Sequence, residues 1–209
     1  LIIWRVRTMA FNLQDIYATP VVVETSCYTI TNDFIDKVKS YERKDAKHNS
    51  VSVNSYVLKN TYFSDIEKVI DEKVENYKTN VLQIRNKLKK QNSWFAFSKK
   101  GEKHHRHAHP GCFLSAVFYV KCNSGDLHFT RDKSTIQEAF YLSYDIIEYN
   151  PYNCTSWKMP LKTGDLAIFP SQLMHGSVFT EDEERIILGV NYMITGKTGS
   201  DDTIDYLEL

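Results

Sequence analysis

The chain has 209 residues, 42% hydrophobic and 25% charged, which is the size of one ordinary domain and the composition of a globular protein. Lysine plus arginine equals aspartate plus glutamate, 26 each, so bulk charge gives no reason to expect nucleic acid or an anionic membrane as partner. The longest apolar run near the start, Leu1 to Trp4, is too short to span a bilayer and is broken by Arg5 and Arg7.

Met9 makes residues 1–8 read as an upstream extension, and no secretory pattern follows it. Cys27, Cys112, Cys122 and Cys154 show no CxxC spacing and read as free thiols of a cytoplasmic protein. Asn153-Cys154-Thr155 has the form of a glycosylation sequon and, without a signal peptide, reads as chance.

In chain order, Thr19 to Ile30 carries Val21-Val22-Val23 and Tyr28-Thr29-Ile30 beside Pro20 and predicts an early strand. Thr31 is placed to cap a helix running to about Lys47, with Phe34, Ile35, Val38 and Tyr41 on one face. Ser52 to Leu58 reads as a short strand. Ser64-Asp65-Ile66-Glu67 has the form of a capping box. Behind it Ile66, Val69, Ile70, Val74, Tyr77, Val81, Ile84 and Leu88 recur at helical steps, predicting a helix of about seven turns. Such a stripe packs across the back of a sheet or forms a coiled-coil seam, which would make the chain a homodimer.

From Ser93 the period changes to that of strands. Trp94–Phe97, Phe113–Lys121, Asp126–Thr130, Asp165–Phe169, Gly176–Thr180 and Arg185–Ile194 are separated by turn residues such as Asn123-Ser124-Gly125 and Lys162-Thr163-Gly164. Short strands without intervening helices predict an antiparallel sandwich or barrel. Residues 131–158 read as an irregular aromatic insertion, a lid, with Tyr141, Tyr144, Tyr149, Tyr152 and Trp157. The expected organisation is one domain over 1–209: a helix-rich supporting region at 10–92, a β core at 93–194 and an acidic tail at 195–209.

Four of the seven histidines, His104, His105, His107 and His109, fall within six positions. Neutral imidazole offers a lone pair at physiological pH, and an H-x-H pair on extended backbone turns both rings to one face. His107 with His109 satisfies this, and so does His105 with His107. A facial metal site needs a third ligand from elsewhere, and His175, at the start of a strand, is the candidate. Alone, the cluster also reads as a surface tract that traps metal adventitiously. Ten residues beyond His175, Arg185 opens the apolar run Ile186 to Val190. A buried arginine needs a carboxylate, whereas at an exposed strand edge it would face Glu181–Glu184.

His107-Ala-His109-Pro110, Leu114-Ser-Ala-Val-Phe-Tyr119, Gly164-Asp-Leu-Ala-Ile-Phe-Pro-Ser171, His175 and Arg185, in this order over residues 93–194, resemble the iron(II)/2-oxoglutarate-dependent dioxygenases in their prolyl-4-hydroxylase-like branch. The resemblance implies a double-stranded β-helix (jelly-roll), mainly β, with helices packed on one face. It implies iron(II) held by His107, His175 and the residue at position 109, and 2-oxoglutarate as co-substrate with its far carboxylate on Arg185. It casts His107, His175 and Arg185 as catalytic and Tyr119 as a second holder of the carboxylate. Strand parity adds Ser115, on the face of Tyr119, and Asn191, on the face of Arg185. The implied reaction hydroxylates a small-molecule or peptidyl substrate with O2, releasing succinate and CO2. The sequence departs from the family where it has His109, since that position is ordinarily aspartate or glutamate; three neutral imidazoles leave the centre one negative charge short. A cupin-type metal enzyme or binding protein without 2-oxoglutarate shares the histidines: Gly101 to His109 fits a G-x5-H-x-H start, but no glutamate follows and Gln172 stands where glycine is expected.

Overall fold

Along Leu114–Lys121 the side chains alternate between two apolar clusters. Leu114, Ala116, Phe118 and Val120 pack with one, while Val117 and Tyr119 pack with the other. A strand buried on both faces needs a layer on each side, and the computed structural model, which describes residues 18–123, 125–131, 145–199 and 207–209, shows both layers.

In chain order the elements are β1 (Val22–Glu24), α1 (Asn32–Lys39), β2 (Arg43–Asp45), β3 (Ser50–Ser52), α2 (Ser64–Asn76), β4 (Lys87–Lys99) and β5 (Leu114–Lys121). They continue with β6 (Gly125–Thr130), β7 (Ser156–Leu161), β8 (Leu166–Pro170), β9 (His175–Ser177), β10 (Glu184–Thr195), β11 (Lys197–Thr198) and β12 (Leu207–Glu208). A seven-stranded sheet runs β1-β8-β5-β10-β4-β3-β2, and a three-stranded sheet runs β7-β6-β9. Every pairing within the two sheets is antiparallel.

The two sheets face each other as a jelly-roll, with Ala96, Val117, Tyr119, Leu127, Phe129, Ala167, Phe169 and Ile187 filling the space between them. The outer face of the large sheet is covered by the helices. Phe34 and Val38 of α1 and Ile66, Ile70 and Val74 of α2 pack on Phe95, Phe118, Ile168 and Leu188. This is the expected architecture, helices on one face included. The stripe from Ile66 through Val74 and Tyr77 is thereby buried within the chain. Among the described residues no helix is long and apolar enough to cross a membrane.

Several boundaries differ from the sequence expectation. Thr31 does cap α1, its Oγ1 accepting from the Phe34 amide at 3.2 Å, but the helix ends at Lys39 rather than near Lys47 because Arg43–Asp45 pairs with β3. The strand expected over Ser52–Leu58 is only Ser50–Ser52, and Val57–Lys59 is a 3-10 turn. Ser64 is the first helical residue and not a cap, since the turn Thr61–Phe63 runs straight into α2. The long helix stops at Asn76, continues as one π-helical turn over Tyr77–Leu82, and ends at Gln83 in the left-handed region (φ 54°). Leu88 belongs to β4, whose pairing with β10 along Lys87–Lys99 outweighs the helical spacing. The early strand is Val22–Glu24, so the N-terminal region contributes β1, β2 and β3 to the large sheet. Part of the stretch read as irregular is β7, and the tail pairs Lys197–Thr198 with Leu207–Glu208.

Candidate metal centre

β9 carries His175 inward from the small sheet, and the segment before β5 crosses it. His107 and His175 form an isolated antiparallel bridge, each amide donating to the other's carbonyl at 2.8 Å. The His109 amide donates to Ser171 O at 2.9 Å, which fixes the other end of the segment. His107, His109 and His175 thus converge, with ring centroids 4.4 to 5.1 Å apart and ligand nitrogens within 4.8 Å of one another. Among the described residues this is the one such group, and no carboxylate joins it.

The chemistry of the donors fits a cation. His107 Nδ1 lies 2.8 Å from His105 O and His175 Nδ1 lies 2.7 Å from Leu173 O. A carbonyl only accepts, so each Nδ1 carries the proton and each Nε2 keeps its lone pair for a metal. Burial, and then the neighbouring imidazoles, hold His175 down at about 3 and His109 at about 4; burial likewise lowers His107. All three are neutral at physiological pH, the state a metal requires. Phe169 packs edge-on against His175 at 4.6 Å, and Trp94 lies 5.4 Å from His109.

A narrow cavity opens beside the triad, bounded by Trp94, His104, Leu127, Ser177, Arg185 and Ile187. Arg185 is 4% exposed, and its guanidinium touches Tyr119, Nη2 donating to the phenol oxygen at 3.3 Å. Burial raises the Tyr119 pKa, so the phenol stays protonated. Among the described residues no carboxylate pairs with Arg185, and its buried Nε has no hydrogen-bond partner. Glu184, next to it, is occupied by Lys39 and Lys121. Of the residues expected to hold a co-substrate, Tyr119 therefore meets Arg185. Ser115 and Asn191 instead meet each other: Ser115 Oγ donates to Asn191 Oδ1 at 2.7 Å and lies 2.9 Å from Ser171 Oγ. Arg185 and Asn191 stand six residues apart on β10, roughly 20 Å along the strand.

Sequence reasoning missed Trp94, Asn49 and the separate placement of His104. Only His104 had a signal, its membership of the histidine cluster. His105 stacks on His104 at 5.3 Å and is not one of the three converging histidines; the pair that meets His175 is His107 with His109.

Two glycines let chain segments close on the site. A Cβ at Gly189 would lie 2.5 Å from the Trp94 ring, so the indole rests directly on β10. A Cβ at Gly176 would lie 2.9 Å from His104 O and 3.0 Å from His105 O, both backbone atoms. Gly176→Ala is expected to push the His104–His107 segment off β9. Overpacking of this kind costs about 1–3 kcal/mol. The measurement is the denaturation midpoint together with metal bound per chain, and both should fall.

Residues 92–191 match the family model described as "Putative 2OG-Fe(II) oxygenase". The chain resembles HygX from Streptomyces hygroscopicus with nickel, 2-oxoglutarate and hygromycin B bound, at 12% identity and a TM-score of 0.60 over 84% of this chain and 83% of that one. It also resembles the non-heme alpha ketoglutarate dependent epimerase SnoN from nogalamycin biosynthesis (12%, 0.57, over 89% and 83%). A third likeness is to a Pseudomonas putida prolyl-4-hydroxylase (12%, 0.51, over 85% and 94%). No curated protein matches the sequence. The family match runs from within β4 through most of β10, the strands that frame the three histidines and Arg185, and the solved structures share the jelly-roll fold.

Proposed function

We propose that the chain is an iron(II)- and 2-oxoglutarate-dependent oxygenase that hydroxylates a small-molecule or peptidyl substrate, with His107, His109 and His175 as the metal ligands. The observation that carries this reading is Arg185: a buried guanidinium that has no carboxylate partner and an unbonded Nε among the described residues, facing the same cavity as the three histidines. Leaving such a charge unpaired costs several kcal/mol, and an incoming carboxylate removes that cost. Arg185 receives the far carboxylate of 2-oxoglutarate, and the Tyr119 hydroxyl holds the guanidinium flat against that end. When bound, iron(II) supplies the oxidising power for O2-dependent C–H hydroxylation coupled to conversion of 2-oxoglutarate to succinate and CO2. Leu127 and Phe129 of the small sheet and Phe169 of the large one form apolar walls that keep water from the triad.

The test is anaerobic titration of the protein with iron(II) and then 2-oxoglutarate. A metal-to-ligand charge-transfer band, followed on admitting O2 by succinate, is the expected result. Protein that holds one equivalent of iron but gives neither band nor succinate would sink the reading in favour of a cupin-type metal protein. Hydroxylation is then separated from epimerisation by mass analysis of the product, since only the former adds an oxygen atom.

A further inference from the structure

His104 lines the same cavity as Arg185 and the three histidines, yet it is not one of the converging ligands. Its ring lies 4.7 Å from that of His107. Its backbone is clamped at both ends of the peptide to Ser177 on β9: the His104 amide donates to Ser177 Oγ at 2.8 Å, and the Ser177 amide donates to His104 O at 3.1 Å. A regular antiparallel register extended from the His107–His175 pair would bring position 105 opposite Ser177. The one-residue shift brings His104 there instead, beside the cavity.

The ring is held as firmly as the backbone. Asn49, 7% exposed in the loop before β3, places its Nδ2 3.1 Å from His104 Nδ1. Asn49 Oδ1 is buried without a partner among the described residues. Turning the amide over would bond Oδ1 but leave the N–H groups in that partnerless place, and an orphaned donor is tolerated less readily than an under-satisfied oxygen. Asn49 therefore donates to Nδ1, which puts the ring proton on Nε2. A protonated Nε2 has no lone pair for a metal. It is a hydrogen-bond donor in a cavity whose other polar end is Arg185, which has no carboxylate partner among the described residues, and that combination suits an anion.

We infer that His104 is a co-substrate-binding residue, donating through Nε2 to the dicarboxylate held between Arg185 and the metal centre, and that Asn49 is the residue that positions it. The inference rests on the function proposed above; it adds a donor that neither strand parity nor the family motif supplies. Asn49 acts only through His104.

The experiment compares wild type with His104→Phe, His104→Gln and Asn49→Leu. Iron per chain is measured first, and then the dissociation constant of 2-oxoglutarate from the anaerobic charge-transfer band. In His104→Phe one equivalent of iron is expected to remain while the dissociation constant rises roughly ten- to hundredfold, the worth of a hydrogen bond to a charged group. His104→Gln, which restores an N–H donor, should recover most of that loss. Asn49→Leu should raise the constant and the KM for 2-oxoglutarate in the same direction, with kcat retained at saturation, and it carries the test if His104→Phe does not fold. An unchanged dissociation constant in His104→Phe overturns the inference. So does loss of iron from both His104 variants, which would make the residue a ligand. Wild-type protein that holds iron without the band overturns the underlying function, and that failure appears before any variant is compared.

Discussion

His175→Ala is expected to leave the purified protein without stoichiometric metal and to lower 2-oxoglutarate turnover by more than about a hundredfold. Removing an outer partner of a ligand costs roughly ten- to hundredfold, and here the ligand itself goes. His175 is 3% exposed, closes the triangle with His107 and His109, and has its ring fixed by Leu173 O. Its imidazole is already neutral, held near 3 by burial, so the substitution removes a lone pair but no charge. The β9 pairing with β6 runs through the backbone and persists. The fold should therefore survive, which circular dichroism checks. In wild type, iron at a hundred times its dissociation constant contributes about 2.7 kcal/mol of stability. For a chain of this length that corresponds to a rise of roughly 5–10 °C in Tm. His175→Ala should show no rise. A variant that keeps one equivalent of iron and the full thermal shift would contradict the assignment of the centre.

Arg185→Met is expected to separate function from stability. The guanidinium is buried beside Tyr119 without a carboxylate among the described residues, and burying a charge in this way carries a desolvation cost. Truncating one partner of a buried charge pair costs about 2–5 kcal/mol, which lowers 2-oxoglutarate affinity by roughly thirtyfold to several thousandfold. Methionine is close in length and apolar, and replacing buried charges by apolar side chains is often stabilising. The metal-free variant should therefore melt above metal-free wild type, with iron binding unchanged. Scanning calorimetry on both metal-free proteins, with 2-oxoglutarate titration of the iron forms, reads the two effects independently. A lower Tm with unaltered affinity would show that Arg185 serves the fold alone.

What could be read in the sequence divides along physical lines. The strand over Phe113–Lys121 and the arginine at the head of an apolar run were legible because β-type composition and charge are local properties, and the structure has a strand at Leu114–Lys121 and a buried Arg185. The histidine triad was legible as types and spacing, and its convergence depends on the His107–His175 bridge, a contact across 68 positions. Leu88 fitted a helical stripe by spacing alone, and only the long β10 partner assigns it to a strand. β7 alternates in exposure, but Pro160 argues against a strand; it is accommodated because β7 is the edge of the small sheet. Asn49 carries no motif, since its role comes from the fold bringing it to His104. Tyr141 and Tyr144 of the expected lid lie outside the described residues, while Tyr149 and Tyr152 are exposed and Trp157 stands on β7 opposite Phe129.

The pairing of β10 with β4 slips by one between Asn191 and Tyr192, which meet Asn92 and Lys90 and leave Gln91 over. Because side chains alternate, one surplus residue changes the phase of the strand. Before it, Lys90 points to the helices and bonds Glu67 and Asp71 of α2. After it, Trp94 points the other way and rests on Gly189 beside His109. The same strand can then anchor a helix with its even-numbered residues at one end and wall the metal centre with its even-numbered residues at the other. The surplus residue makes β4 two segments in opposite phase, so that substitutions suited to the helix side of the first half would face the cavity in the second.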